Sequence, residues 1–89
     1  ITITVQNGSG EAGVAAKGSD ILKHLGYSVS GTGNADNFDY TGVTIKIKSG
    51  SSEFLNLLKN DLKSDYTITA STSDLDNSFS SDALVIIGK

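Results

Sequence analysis

Apolar and polar positions first alternate along this chain, then recur at helical spacing, and then do both again. Ile1, Ile3 and Val5 are separated by Thr2, Thr4 and Gln6, the period of two that buries one face of a strand and leaves the other toward water. Asn7-Gly8-Ser9-Gly10-Glu11-Ala12-Gly13 ends that strand. Val14, Gly18, Ile21, Leu22 and Leu25 then share one stripe of a helix, with Lys17, Asp20 and Lys23 on other faces. Gly26 suits a left-handed cap, and Tyr27 suits the apolar contact that follows such a cap. Tyr27-Ser28-Val29-Ser30 alternates weakly and predicts a second strand, which runs out in a permissive, mobile loop at Gly31-Thr32-Gly33-Asn34.

The segment Asn34–Gly42 reads as a loop rich in turn formers, carrying Phe38 and Tyr40. Val43-Thr44-Ile45-Lys46-Ile47-Lys48 alternates cleanly, with its lysines on the solvent side. Ser49-Gly50-Ser51-Ser52 supplies the cap for a second helix, whose stripe is Phe54, Leu55, Leu58 and Leu62, widened by Leu57. Asp61 and Asp65 sit badly with the dipole at its end, so fraying is expected by Lys63 or Ser64. Tyr66–Ala70 predicts a fourth strand. Ser71–Asp82 reads as a long polar connection pinned by Leu75 and Phe79. Ala83-Leu84-Val85-Ile86-Ile87 is apolar without alternation, the mark of a central strand buried on both faces.

The order is therefore β-α-β-β-α-β-β, and the expected fold is α+β: a two-layer sandwich with both helices on one face of a small mixed sheet. The other face should be polar, carrying Thr2, Thr4, Gln6, Lys46, Lys48, Thr67 and Thr69, with a stripe from the final strand running through it. Eighty-nine residues make one domain, 1–89, and a chain of this size buries roughly 60–70% of its unfolded surface, enough for a core without staples. With no cysteine there is no disulfide and no thiolate metal site. The net charge of −3 argues against nucleic acid as a partner, and all seven cations are lysine, so the bidentate forks usual at phosphate sites are missing. No apolar run approaches the roughly 18 residues of a membrane span. Starting directly on a strand, the chain reads as a domain whose targeting segment, if any, lies outside it.

Gly8, Gly10 and Gly13 spell the dinucleotide-binding spacing G-x-G-x-x-G, between a strand and a helix as that fingerprint requires. Its other requirements are unmet. The second strand ends in Gly31-Thr32-Gly33-Asn34 with no acid before Asp36, the first strand alternates, and 89 residues leave no room for a second mononucleotide half. The glycines are read as serving a tight strand-to-helix turn. Nucleotide or anion binding at Gly8, Ser9 and Gly10 is kept as a remote alternative.

The runs Ile3–Gly10, Gly13-Val14-Ala15 and Leu25–Val29 together resemble the C-terminal domain of LytR-type cell-envelope proteins, the LytR/CpsA/Psr group. Gly33–Asp36, Tyr40, Val43–Ile45 and the closing Ala83–Lys89 extend the resemblance across nearly the whole chain. It implies an extracytoplasmic domain of a bacterial protein anchored by a transmembrane segment absent here. In many such proteins the domain follows a catalytic domain that moves glycopolymers from lipid pyrophosphate to peptidoglycan, using arginines that this chain lacks. No catalytic residue is therefore carried over, and neither cofactor nor metal is expected.

Other candidates have plain readings. His24 is a solvated helix residue near a C-terminus. Asp74, Asp76 and Asp82 lack the glycine and closing glutamate of a calcium loop. Ser9 does not satisfy a nucleophile elbow. Lys46 and Lys48 read either as guards of a sheet edge or as polymer contacts, and Phe38 and Tyr40 either as loop anchors or as sugar-stacking rings. The expected role is a non-catalytic binding module that recognises cell-wall polymer or peptidoglycan glycan through Thr2, Thr4, Lys46, Lys48, Phe38 and Tyr40. The alternative is docking on the parent catalytic domain or another envelope protein.

Overall fold

The structure is a computed structural model that describes residues 1–89. Five strands and two helices follow in the order β1 (Thr2–Asn7), α1 (Val14–His24), β2 (Ser28–Asn34), β3 (Val43–Ile47), a 3₁₀ segment (Ser49–Phe54), α2 (Leu55–Leu62), β4 (Ile68–Thr72) and β5 (Ala83–Ile87). The strands form one sheet in the order β2-β1-β5-β3-β4. β1 lies parallel to both β2 and β5, whereas β3 is antiparallel to β5 and parallel to β4. The expected mixed two-layer α+β fold is present, and the unbroken apolar run of β5 takes the middle of the sheet.

This topology explains why both helices share a face. β1-α1-β2 and β3-α2-β4 are parallel crossovers moving outward in opposite directions along strands of opposite sense, so rotation by half a turn about an axis through β5 exchanges them. Parallel crossovers are right-handed almost without exception, and that one hand puts α1 and α2 on the same side. A single core results: Ala15 and Leu22 from α1 and Leu58 and Leu62 from α2 pack with Ile3, Val5, Val43, Ile45, Ile47, Ala83, Val85 and Ile87. Full burial of a side chain such as Leu or Ile contributes about 1.5–3 kcal/mol. Gly18 lets α1 come down onto the sheet, for a Cβ there would run into Ile87 Cδ1 and lie 3.4 Å from Val5 Cγ1.

α1 ends as its sequence predicts. Gly26 is left-handed with φ 95°, the Tyr27 amide donates to Leu22 O (3.0 Å), and the Gly26 amide donates to Lys23 O (3.0 Å), the paired bonds that close a helix with glycine. The Tyr27 hydroxyl then donates to Asp61 Oδ2 (2.5 Å), tying this end of α1 to the last turn of α2. Burial raises the Tyr27 pKa, and the Asp61 hydrogen bond and charge add to the rise.

Several boundaries differ from the sequence pattern. β2 runs straight through Gly31-Thr32-Gly33-Asn34, because β1 supplies the ladder: Thr4 pairs with Gly31 and Gln6 with Gly33. A register shift between Ile3 and Thr4 leaves Ser30 bulged, its hydroxyl turned back to Ile3 O (3.3 Å). The second helix opens as a 3₁₀ segment without a side-chain cap, and Leu57 does not widen its buried stripe, being 48% exposed. β4 begins at Ile68 rather than Tyr66, since the amides of Asp65 and Tyr66 still bond back to Leu62 O. The long connection before β5 is pinned much as expected: Leu75 and Phe79 are half-buried and the Leu75 amide donates to Ile47 O (3.1 Å).

Candidate functional site

The sequence candidates gather at two ends of the sheet. One end lies where β1, β2 and β5 finish and β3 starts. The connection from β2 to β3 crosses it, held by Ala35 N–H to Asn7 O (2.9 Å), Lys89 N–H to Tyr40 O (2.9 Å) and Gly88 N–H to Gly42 O (2.7 Å). Here the Gly-rich turn is organised by Asn7. Its Oδ1 accepts from the Ser9 amide (2.9 Å) and the Ser9 hydroxyl (2.7 Å), and its Nδ2 donates to Glu11 O (2.5 Å). The Ser9 hydroxyl accepts in turn from the Glu11 amide (3.1 Å), and the Gly8 amide donates to Ile87 O (2.8 Å). Two of the three amides in Gly8-Ser9-Gly10 are thus committed inside the protein. Gly8 is needed because a Cβ would stand 2.7 Å from Tyr40 Cδ2 and 2.9 Å from Ile86 Cγ2.

That contact also locates Tyr40. Ile87 points toward α1, so Ile86 points the other way, and the Tyr40 ring lies with Ile86 over the end of the helix-free face. Its hydroxyl donates to Asp36 Oδ1 (2.8 Å); that bond, then partial burial, raises the phenol pKa. Phe38 rests near Gly10, where a Cβ would be 3.4 Å from its own Cβ, and stays 45% exposed.

The other four candidates lie toward the opposite end of the helix-free face. Thr4 and Lys46 flank Leu84 from either side, while Gln6 and Thr44 flank Ile86. Leu84 and Ile86 keep only 7% and 2% of their surface exposed, so the stripe expected on this face is roofed by its neighbours. Thr2 exchanges hydrogen bonds with Asp82: its amide donates to Asp82 Oδ2 (3.0 Å) and the Asp82 amide donates to its hydroxyl (3.2 Å). The Thr2 amide chiefly holds the Asp82 carboxyl below its ordinary pKa. Thr4, Ser30 and Ser81 form a hydroxyl triangle, with Thr4 Oγ1 to Ser81 Oγ 2.6 Å and Ser30 Oγ to Ser81 Oγ 2.5 Å. The Lys48 ammonium donates to Phe79 O (2.5 Å). β3 lies between β5 and β4, so Lys46 and Lys48 guard no sheet edge, and that expectation is corrected.

The family model for the LytR cell envelope-related transcriptional attenuator, LytR_C, matches residues 1–89. The chain belongs to the LytR_C family. No curated protein and no solved structure matches it. LytR_C is a C-terminal accessory domain of cell-envelope proteins, and in this LytR_C domain no helix is long and apolar enough to cross a membrane.

One feature of this LytR_C domain escaped the sequence reading. A groove of about 420 Å³ opens between α2 and the start of β4, lined by Lys59, Asn60, Lys63, Tyr66, Thr67 and Ile68. Its signal in the sequence is the pair of lysines four apart, Lys59 in α2 and Lys63 at its C-cap, on the flank of the Leu58–Leu62 stripe. The strand-like pattern of Tyr66 and Thr67 hides it, because these residues form the turn that walls the groove.

Proposed function

We propose that this LytR_C domain is an extracytoplasmic, non-catalytic module that recognises cell-wall polymer or its glycan through the helix-free face of the sheet. The observation that carries the reading is the row Thr4, Leu84, Lys46, where a hydroxyl and an ammonium stand either side of a roofed apolar strand. Strands are about 4.8 Å apart, so this row spans about 10 Å. It offers donors and acceptors to a hydroxyl-rich chain laid across it, with Gln6 and Thr44 repeating the pattern one step along. Thr2 and Lys48 hold the rim through Asp82 and Phe79, and Phe38 with Tyr40 borders the far end.

The test is amide NMR of the folded domain titrated with solubilised peptidoglycan, with and without attached anionic polymer. Shifts centred on Thr4, Thr44, Lys46 and Leu84, reduced in Lys46→Ala, are expected. A flat response across these amides at millimolar sugar would refute the reading.

A second reading, docking on an envelope protein, is favoured by β2. This edge strand has seven residues, carries neither charge nor proline, and is suited to strand addition. Protein binding without wall, abolished by Thr32→Lys, would support it over the polymer.

A further inference from the structure

We propose that the groove between α2 and β4 is a binding site for a sugar that carries an anionic group. The groove lies on the helix side of the molecule at the edge opposite β2, so the inference stands apart from the sheet-face reading.

Charge comes first. The chain carries a net −3, yet the ionisable groups lining this groove are two lysines and a tyrosine, with no carboxylate. Lys59 in α2 and Lys63 at its C-cap are four apart, the spacing at which like charges repel. Neither has an acid three or four residues away to offset it: Leu55, Asn56, Leu62 and Lys63 hold those places around Lys59, and Lys59, Asn60, Tyr66 and Thr67 hold them around Lys63. The carboxylate of Asp61 is engaged by Tyr27 on the α1 side; that of Asp65 is the one acid whose charge reaches a lining group, the Tyr66 phenol, but Asp65 itself does not line the groove. The helix dipole accounts for lysines near a C-terminus. It does not account for their meeting Asn60, Tyr66 and Thr67 around one concavity.

The neutral lining suits the rest of such a ligand. The Asn60 carboxamide and Thr67 hydroxyl can each donate and accept, as sugar hydroxyls require. Tyr66 packs on the core and contributes a ring with a polar tip, the side chain that meets a sugar's apolar face and its hydroxyls together. Burial first, and the Asp65 charge second, raise its pKa, so the phenol remains a neutral donor. A volume of about 420 Å³ falls within the roughly 300–1,000 Å³ of small-ligand sites.

The experiment is amide NMR of the whole chain at low ionic strength with glucose 6-phosphate, glucose, inorganic phosphate and a glutamate-rich peptide as separate probes. Glucose 6-phosphate is expected to shift Asn60, Lys63, Tyr66, Thr67 and Ile68 saturably and more tightly than glucose or phosphate alone. The double variant K59Q/K63Q should keep a dispersed spectrum and bind about tenfold more weakly, a loss of about 1.4 kcal/mol. Lys46→Ala should bind it as the parent does. A phosphodiester-linked sugar oligomer at equal phosphate then tells a polymer-borne group from a free one. The proposal is overturned by unsaturable or scattered shifts, by equal binding in K59Q/K63Q, by phosphate alone binding as tightly (an adventitious ion only), or by tighter binding of the acidic peptide. Shifts around Lys46 with wall fragments but none in the groove would sink this site and leave the sheet-face reading intact.

Discussion

Gly18→Ala is the sharpest probe of how the helix layer is seated, because two effects of known size oppose each other there. In a solvent-exposed helix the change stabilises by about 1 kcal/mol. At this position the new methyl is driven into Ile87 Cδ1, with Val5 Cγ1 3.4 Å away on the other side. Cδ1 is the free end of the Ile87 side chain and can turn aside, but Ile87 is buried on the central strand, so the rotation has to find room in a packed core. Overpacking of this kind costs about 1–3 kcal/mol. Set against the helix gain, a net loss of up to about 2 kcal/mol is expected, a fall in Tm of up to roughly 15 °C for a domain of this size. Ile87→Val removes the colliding methyl and alone should cost about 0.5–1.5 kcal/mol. In the double variant the alanine methyl fills the space that Cδ1 leaves, so the pair should be more stable than the two separate losses imply by about 1–3 kcal/mol. Urea unfolding of the four proteins followed by circular dichroism measures this coupling. Additive losses within about 0.5 kcal/mol, or a Gly18→Ala protein more stable than its parent, would refute the seating described here.

Two further predictions follow from the tyrosine and the aspartate that join distant segments. Tyr27→Phe should lower stability by about 1 kcal/mol, since the half-exposed Asp61 carboxylate regains water. Because the folded-state phenol pKa is raised above the ordinary 10.0, its contribution is complete below pH 10.0 and is lost as pH rises beyond it; alkaline melts of the Phe variant should show a shallower decline. For Asp82 the sign is opposite. Its folded pKa is lowered from 3.8, so its contribution is present above that value and lost as pH falls through the depressed one. Asp82→Asn should flatten the acid limb of the stability curve, and an unchanged limb would refute the role given to the Thr2 bridge.

The fold was legible where one period dominated. The alternation of β1 and β3, the stripe and glycine cap of α1 and the uniform apolarity of β5 each pointed to the element observed. The misreadings share a cause, which is that tertiary pairing outweighs local preference. Gly31 and Gly33 lack strand propensity, yet β1 offers them a ladder; Tyr66 and Thr67 have that propensity, yet the α2 terminus holds Tyr66 in a turn. The candidate site was less legible. Lys46 and Lys48 look equivalent in the sequence, but the Lys48 ammonium is held by Phe79 O, a carbonyl thirty-one positions away. Tyr40 and Phe38 likewise look like a pair, but Gly8 draws Tyr40 over Ile86 whereas Phe38 stays exposed.

The place of β5 has a consequence for the order of assembly. The strand at the middle of the sheet is the latest of the five to be synthesised, so a chain made from its N-terminus holds two βαβ halves that cannot yet meet. Until Ala83–Ile87 arrives, β1 and β3 each present an open inner edge, and the halves share no sheet. Closure then depends on sequence-distant pairings, Ile3 with Ala83 and Asn7 with Ile87, contacts that are slow to find. Nascent chains of this domain would therefore be most vulnerable to strand exchange with one another just before their final strand emerges, and the sheet's centre is the part that ends that interval.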